Sequence, residues 1–177
     1  VALILTRANL ENIEDRQIFL DLSREYFTWM NPEIVAVSGL SIPDMVGMDI
    51  ESYVQYTVGT GADLGTADGG LYFFRAADGF AIAMGGLRRL PDDAAEIVRI
   101  FTRAQCRGQG AGTQMVNALI GEAKRLGYGV IRLDTGVFMT SAQRIYKAAG
   151  FIERDPYPGA EPPERLQPHW LYMERRL

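Results

Sequence analysis

Apolar positions recur along this chain with two periods, one near 3.6 residues and one of 2, and the places where the period switches mark its elements. An apolar run over residues 2–6, beginning at Ala2, predicts a short strand. Residues 9–30 carry Ile13, Phe19, Leu20, Tyr26 and Phe27 at helical spacing, and Asn31-Pro32 predicts the end of that helix, because the residue before a proline avoids helical backbone. A further helix over 49–58 leads into a glycine-rich loop, 59–70.

From residue 71 the pattern turns to strands. Residues 71–76 and 80–90 flank Asp78-Gly79 and predict a hairpin, Pro91-Asp92-Asp93 makes a second turn, and Ala95–Thr102 forms a third strand. The helix over 113–126 places Met115, Val116, Leu119, Ile120, Ala123 and Leu126 on one stripe, and Gly127 is placed to end it. Residues 130–134 then read as a buried strand after a helix, the order of a right-handed βαβ crossover. Thr140 and Gln143 fit a capping box for a helix over 141–149 that stops at Gly150. A short strand over 151–154, a proline-rich loop over 156–168 and a closing strand over 169–175 complete an α/β pattern with no internal repeat. At 177 residues the chain is read as one domain, 1–177, which buries roughly 70% of its unfolded surface.

Composition removes several classes of chemistry. With one cysteine, Cys106, and one histidine, His169, the chain offers neither an internal disulfide nor a cysteine- or histidine-rich metal site, so no metal is expected. A net charge of −4 argues against general nucleic-acid binding. No apolar run reaches the about 20 residues that a membrane span requires, and the first residues lack the basic-then-apolar order of a signal peptide, so a cytoplasmic location away from membranes is expected. Charge is uneven, however. Glu25, Glu33, Asp44, Asp49, Glu51, Asp63 and Asp68 lie between Arg24 and Arg75 with no Lys or Arg among them, which suggests a cationic amine as a ligand.

The most informative segment is Arg107-Gly108-Gln109-Gly110-Ala111-Gly112, set between a strand and a helix. Glycines let the backbone approach a ligand closely, and the helix start that follows offers unpaired N–H groups and a positive dipole end, so the segment is a phosphate site. A nucleoside-triphosphate loop needs a lysine after its last glycine, which is absent. A dinucleotide fingerprint fits Gly108 and Gly110, with Asp134 where a ribose-binding acid stands, but Thr113 occupies the third glycine's place and too little chain follows for a second half-sheet. The pattern R/Q-x-x-G-x-G/A is met at Arg107, Gly110 and Gly112.

With that loop, with Ala142-Gln143-Arg144-Ile145-Tyr146-Lys147-Ala148-Ala149-Gly150-Phe151 downstream and with Ala95-Glu96-Ile97-Val98-Arg99-Ile100 upstream, the chain resembles the GNAT superfamily of acyl-coenzyme A N-acyltransferases over residues 71–154. The resemblance implies a central mixed, mostly antiparallel sheet of six to seven strands flanked by helices, with the glycine loop after the fourth strand. It implies acetyl-coenzyme A as cosubstrate and an amine of a small molecule or peptide as acceptor, attacked directly in a ternary complex, with a homodimer as a further possibility through the closing strand.

The site residues follow from the same resemblance. Arg107, Gly108, Gln109, Gly110, Ala111, Gly112 and Thr113 would hold the pyrophosphate, and Ile100, Phe101, Thr102 and Arg103 would run beside the pantetheine arm. Met139 stands where many relatives have asparagine, and Ser141 or Thr140 is the expected substitute. Glu96 matches the family's base position. Sharing a strand face with Val98 and Ile100, it is expected to have a raised pKa, or else to be a solvated acid at a strand end. Tyr146 matches the tyrosine near the thioester sulfur, or else fills the core. The acceptor side falls to residues 25–70, where Tyr26, Trp29, Tyr53 and Tyr56 either line a pocket or pack the core, and to the loop 157–167. A non-catalytic acyl-coenzyme A sensor carries the same loop, and a dinucleotide-binding protein stands third.

Overall fold

The computed structural model describes residues 3–60, 64 and 66–177. Ala2 of the expected first strand, and Gly61, Asp63 and Gly65 of the glycine-rich loop, lie outside the described residues. Among the described residues seven strands form one sheet, β1 (Ile4–Arg7), β2 (Gly70–Arg75), β3 (Ala81–Arg89), β4 (Ala95–Thr102), β5 (Val130–Gly136), β6 (Ile152–Arg154) and β7 (Trp170–Arg176), in the order β1-β2-β3-β4-β5-β7-β6. Every neighbouring pair is antiparallel except β4 and β5, which are parallel and joined through α4 (Ala111–Arg125) as the βαβ reading requires. This is the mixed, mostly antiparallel sheet that the resemblance implied.

Each face of the sheet buries a helix layer. The stripe Met115, Val116, Leu119, Ile120 and Ala123 of α4 packs with Ala95, Ile97, Ile131 and Leu133, and α5 (Thr140–Ala148) joins it through Tyr146. On the other face α1 (Ile13–Ser38) sets Phe19 and Leu22 against Phe73, Met84, Val98 and Phe101. A third cluster, with Phe27, Ile34, Ile42, Val54 and Leu166, holds α1 to α2 (Ile42–Val46), α3 (Ile50–Thr60) and the stretch before β7.

Four expectations need correction. The first helix does not stop at Asn31-Pro32; it runs to Ser38 and ends at Gly39, whose φ is 73°. An interior proline costs about 3 kcal/mol. Burying Met30 and Ile34, at about 1.5–3 kcal/mol each, offsets it. The Thr140–Gln143 capping box does not form: Met139 takes the cap position of α5, and Gln143 Nε2 instead donates to the carbonyls of Gly136 at 2.9 Å and Val137 at 3.2 Å, tying the helix to the end of β5. The closing strand β7 is an interior strand, paired with β5 along its whole length and with β6 through Tyr172–Glu174, so the bonds of that central stretch are made within the chain. Finally, Glu96 and Val98 share a strand face but Ile100 does not. Gly86 pairs with Val98 and Met84 with Phe101, so Gly85 alone faces both Arg99 and Ile100, a bulge that reverses the alternation.

Candidate active site

That bulge and the divergence of two strands create the site. β4 and β5 pair only through Ala95, Glu96 and Ile97 against Ile131, Arg132 and Leu133, yet both strands continue beyond. The sheet therefore splays, leaving the β5-facing edge of β4 from Val98 onward without a strand partner. At the mouth of the splay the chain turns through Ala104–Cys106 into the glycine loop, where Gly108 and Gly110 adopt φ of 78° and 83°. In that left-handed region a side chain would be strained. The backbone N–H groups from Gly108 to Thr113 donate to no acceptor among the described residues, and α4 has no side-chain cap. Consecutive free amides at a helix start form an anion nest.

A cleft of about 580 Å³ runs from this nest along the splayed strands. Its walls include eleven of the expected residues: Ile100, Phe101, Thr102, Arg107, Gly108, Gly110, Ala111, Gly112, Thr113, Ser141 and Tyr146. Thr140 and Met139 line it as well. Cys106 is half-buried on the same wall. Arg107 is fixed across the mouth, its Nε donating to the Thr102 carbonyl at 3.1 Å and its guanidinium 5.1 Å from the Trp29 ring and 5.5 Å from that of Phe101. Gly112 brings α4 against α5: a Cβ there would stand 3.2 Å from Ile145 Cδ1. Tyr146 is buried, and desolvation raises its phenol above the ordinary 10.

Three expected residues are not part of the cleft wall. Gln109 sits exposed in the loop. Arg103 faces the other way, donating from Nε to the Ala81 carbonyl at 2.8 Å, pairing with Glu25 and stacking 4.9 Å from the Phe80 ring. Glu96 is 0% exposed, and both its oxygens are taken. Tyr157 Oη donates to Oε1 at 2.7 Å and Arg88 donates to Oε2 at 2.5 Å. Burial raises its pKa against the opposing pull of Arg88 and Tyr157.

Two carboxylates do line the cleft, Glu161 from the loop before β7 and Asp134 near the end of β5. Trp170 Nε1 donates to its Oδ1 at 2.9 Å, and Oδ2 accepts from no described residue. Desolvation, then the nearby charges of Glu96 and Glu161, push its pKa from 3.8 up to about 8, with the Trp170 bond opposing. Sequence reading set Asp134 aside with the dinucleotide alternative; its signal was an acid closing an apolar strand beside the expected crossover.

A second cavity, about 300 Å³, meets the cleft at Tyr26, Arg99, Asp134, Met139 and Glu161. Its far walls are α1, α2, α3 and the loop before β7, with Tyr53 and Tyr56 among them, so these aromatics line a cavity. None of the acidic run's described residues lines it. Asp44 and Asp49 cap helices, while Glu25, Glu51 and Asp68 pair with Arg103, Arg24 and Arg89. The acids at the junction, Asp134 and Glu161, come from elsewhere in the sequence.

The family model for the acetyltransferase (GNAT) family matches residues 48–151, and the chain belongs to that family. An uncharacterized N-acetyltransferase of Dictyostelium discoideum is 44% identical over 62 residues, 35% of this chain and 29% of that protein. The IAA acetyltransferase of Azospirillum brasilense is 30% identical over 82 residues, 46% of this chain and 51% of that protein. The chain thus matches about half or less of the length of these curated relatives. Among solved structures, PaiA N-acetyltransferase from Thermoplasma acidophilum, in complex with coenzyme A, is similar with a TM-score of 0.72 at 16% identity over 100% of both chains. A GNAT-family acetyltransferase from Staphylococcus aureus has a TM-score of 0.71 at 17% identity over 99% of each. These likenesses show a shared fold.

Proposed function

We propose that this protein is an N-acetyltransferase that moves an acetyl group from acetyl-coenzyme A to a primary amine by direct attack in a ternary complex. The observation that carries this reading is the run of free N–H groups from Gly108 to Thr113 opening on the same cleft as the Asp134 carboxylate and Tyr146. The nest and Arg107 hold the pyrophosphate. The unpaired edge of β4 accepts the pantetheine arm as an added strand, and one of its N–H groups points at the thioester carbonyl, where charge develops in the transition state.

The acceptor loses its ammonium proton to solvent, its nitrogen bonds to the carbonyl carbon, the C–S bond breaks, and two further proton transfers follow, one from the nitrogen and one to the sulfur. Asp134 takes the one from the amine through its open Oδ2, and a pKa of about 8 suits a base working near neutrality. Tyr146, kept protonated by burial, donates to the departing sulfur. Glu96 acts from behind: held by Arg88 and Tyr157, its charge helps raise the pKa of Asp134, which makes it a positioning residue in this scheme.

Acetyl-coenzyme A at 100 times its Kd stabilises the native state by about 2.7 kcal/mol, a Tm rise of roughly 5–10 °C for a chain of this size, while NAD gives none. Release of free thiol across an amine panel then identifies an enzyme. Stabilisation without thiol release points to a sensor, and the absence of stabilisation overturns the reading.

A further inference from the structure

The junction between the two cavities holds a cation whose pairing is incomplete. Arg99 lines both cavities, its side chain is 11% exposed, and its Nη1 is buried without a hydrogen-bond partner. A buried guanidinium N–H left unsatisfied is costly, and native structures rarely keep one without a reason. Glu161 approaches Nε only to 4.0 Å, the outer limit of an ion pair, and from the Nε side of the fork. The guanidinium is held 5.6 Å from the Phe19 ring, and its backbone, at φ 55° in the β4 bulge, sits in a conformation that a non-glycine residue occupies only under constraint. The bulge thus aims a cation where strand alternation would not have put it.

Asp134 and Glu161 line the same junction, whereas the remainder of the second cavity is mostly apolar, walled by Phe27, Ile34, Met45, Tyr53, Leu166 and Trp170, with Thr135 as its further polar side chain beside the tyrosines. A ligand matched to this arrangement carries an amine and an anionic group close together at one end and an apolar body at the other. A simple cationic amine leaves Arg99 facing its ammonium.

Building on the proposed acetyl transfer, we propose that the acceptor is an apolar α-amino acid, its carboxylate bound by Arg99, its amine facing Asp134 and its side chain filling the second cavity. The planar fork of Arg99 offers a carboxylate charge-assisted bonds, and the one carbon between amine and carboxylate brings both groups to the junction. The net charge supports the choice. With Asp134 part-protonated near neutrality, Arg99 and Glu161 nearly cancel it to a weakly negative site, suited to a zwitterion.

The test is thiol release from acetyl-coenzyme A by the full chain with phenylalanine, leucine and methionine against their decarboxylated amines, each pair sharing one apolar body. The expected kcat/KM favours the amino acid by about tenfold to a hundredfold, the range for one charge-assisted bond. In Arg99→Gln the ratio within each pair narrows to about threefold or less. Equal turnover of amino acid and amine by the native chain, or a ratio that Arg99→Gln leaves as it was, overturns the assignment while leaving acetyl transfer intact. Because the comparison within the native chain needs no variant, a poorly folded Arg99→Gln does not rescue the proposal. Thermal stabilisation by acetyl-coenzyme A with thiol release only from amines lacking a carboxylate also defeats it. Neither stabilisation nor thiol release with any acceptor defeats the acetyltransferase reading as well.

Discussion

The two ends of the site are built in opposite ways. The nest end is contiguous: residues 107–113 supply its amides, its charge and its helix start from seven consecutive positions. The far end is dispersed, with Arg99 from β4, Asp134 from β5, Glu161 from the loop and Tyr26 from α1 converging on one junction. In the proposed function the first binds through main-chain N–H groups, which glycine exposes whatever the distant packing. The second depends on desolvation: burial, with the charges of Glu96 and Glu161 behind it, makes Asp134 an unusual acid against the opposing pull of the Trp170 bond. Loss at the nest end should therefore fall on coenzyme A affinity, and loss at the junction on turnover and acceptor choice.

Removing the proposed base is the strongest way to break that division. Asp134→Asn is expected to lower kcat by about a hundredfold to ten-thousandfold, the range for general acid–base catalysis, while the Kd for coenzyme A stays within about threefold. In the native chain kcat/KM rises with pH until about 8, as Asp134 loses its proton, and the variant loses that acidic limb. Stability moves the other way. The folded state holds this proton more tightly than the unfolded chain, so Asp134 contributes most at acid pH and becomes a liability as pH rises from about 4 to about 8. Asp134→Asn should then melt higher than the native chain at pH 9. A variant with unchanged kcat, or with coenzyme A affinity lost alongside turnover, collapses the distinction between the two ends.

Tyr146→Phe tests the point where the ends meet. Turnover is expected to fall by about a hundredfold with little change in coenzyme A affinity, because the lost hydroxyl contacts the sulfur only as it leaves. Unchanged turnover, read in the same thiol assay, returns Tyr146 to a packing role beside Phe151, whose ring lies 6.2 Å away.

The smallest effect belongs to the nest itself. Gly110→Ala puts a side chain on a residue at φ 83° and is expected to weaken coenzyme A binding about tenfold by calorimetry, with the preference among acceptors unchanged. A shift in acceptor preference instead would mean that the loop reaches the junction.

Much of the sheet was legible in the chain because period-2 strands, the Asp78-Gly79 hairpin and the α4 stripe are local patterns; β2 to β5 fall close to their expected places. The errors have tertiary causes. Pro32 looked like a stop because its local cost is visible, whereas the burial that carries α1 past it is not. Gln143 looked like a capping residue because its spacing from Thr140 is local, whereas the carbonyls it meets belong to the end of β5.

By itself the sequence determined the strand and helix order, the crossover and the glycine loop, all features whose physics lies within a few bonds along the chain. Tertiary structure alone decided which acids open on the cleft, Asp134 and Glu161 rather than Glu96, which Arg88 and Tyr157 seal, and which cation there is left incompletely paired, Arg99. The reason is that exposure and desolvation depend on residues distant in sequence. A bulge that reverses two positions of β4, and strands that part after three pairs, are invisible in composition and spacing yet fix where charge meets the cleft.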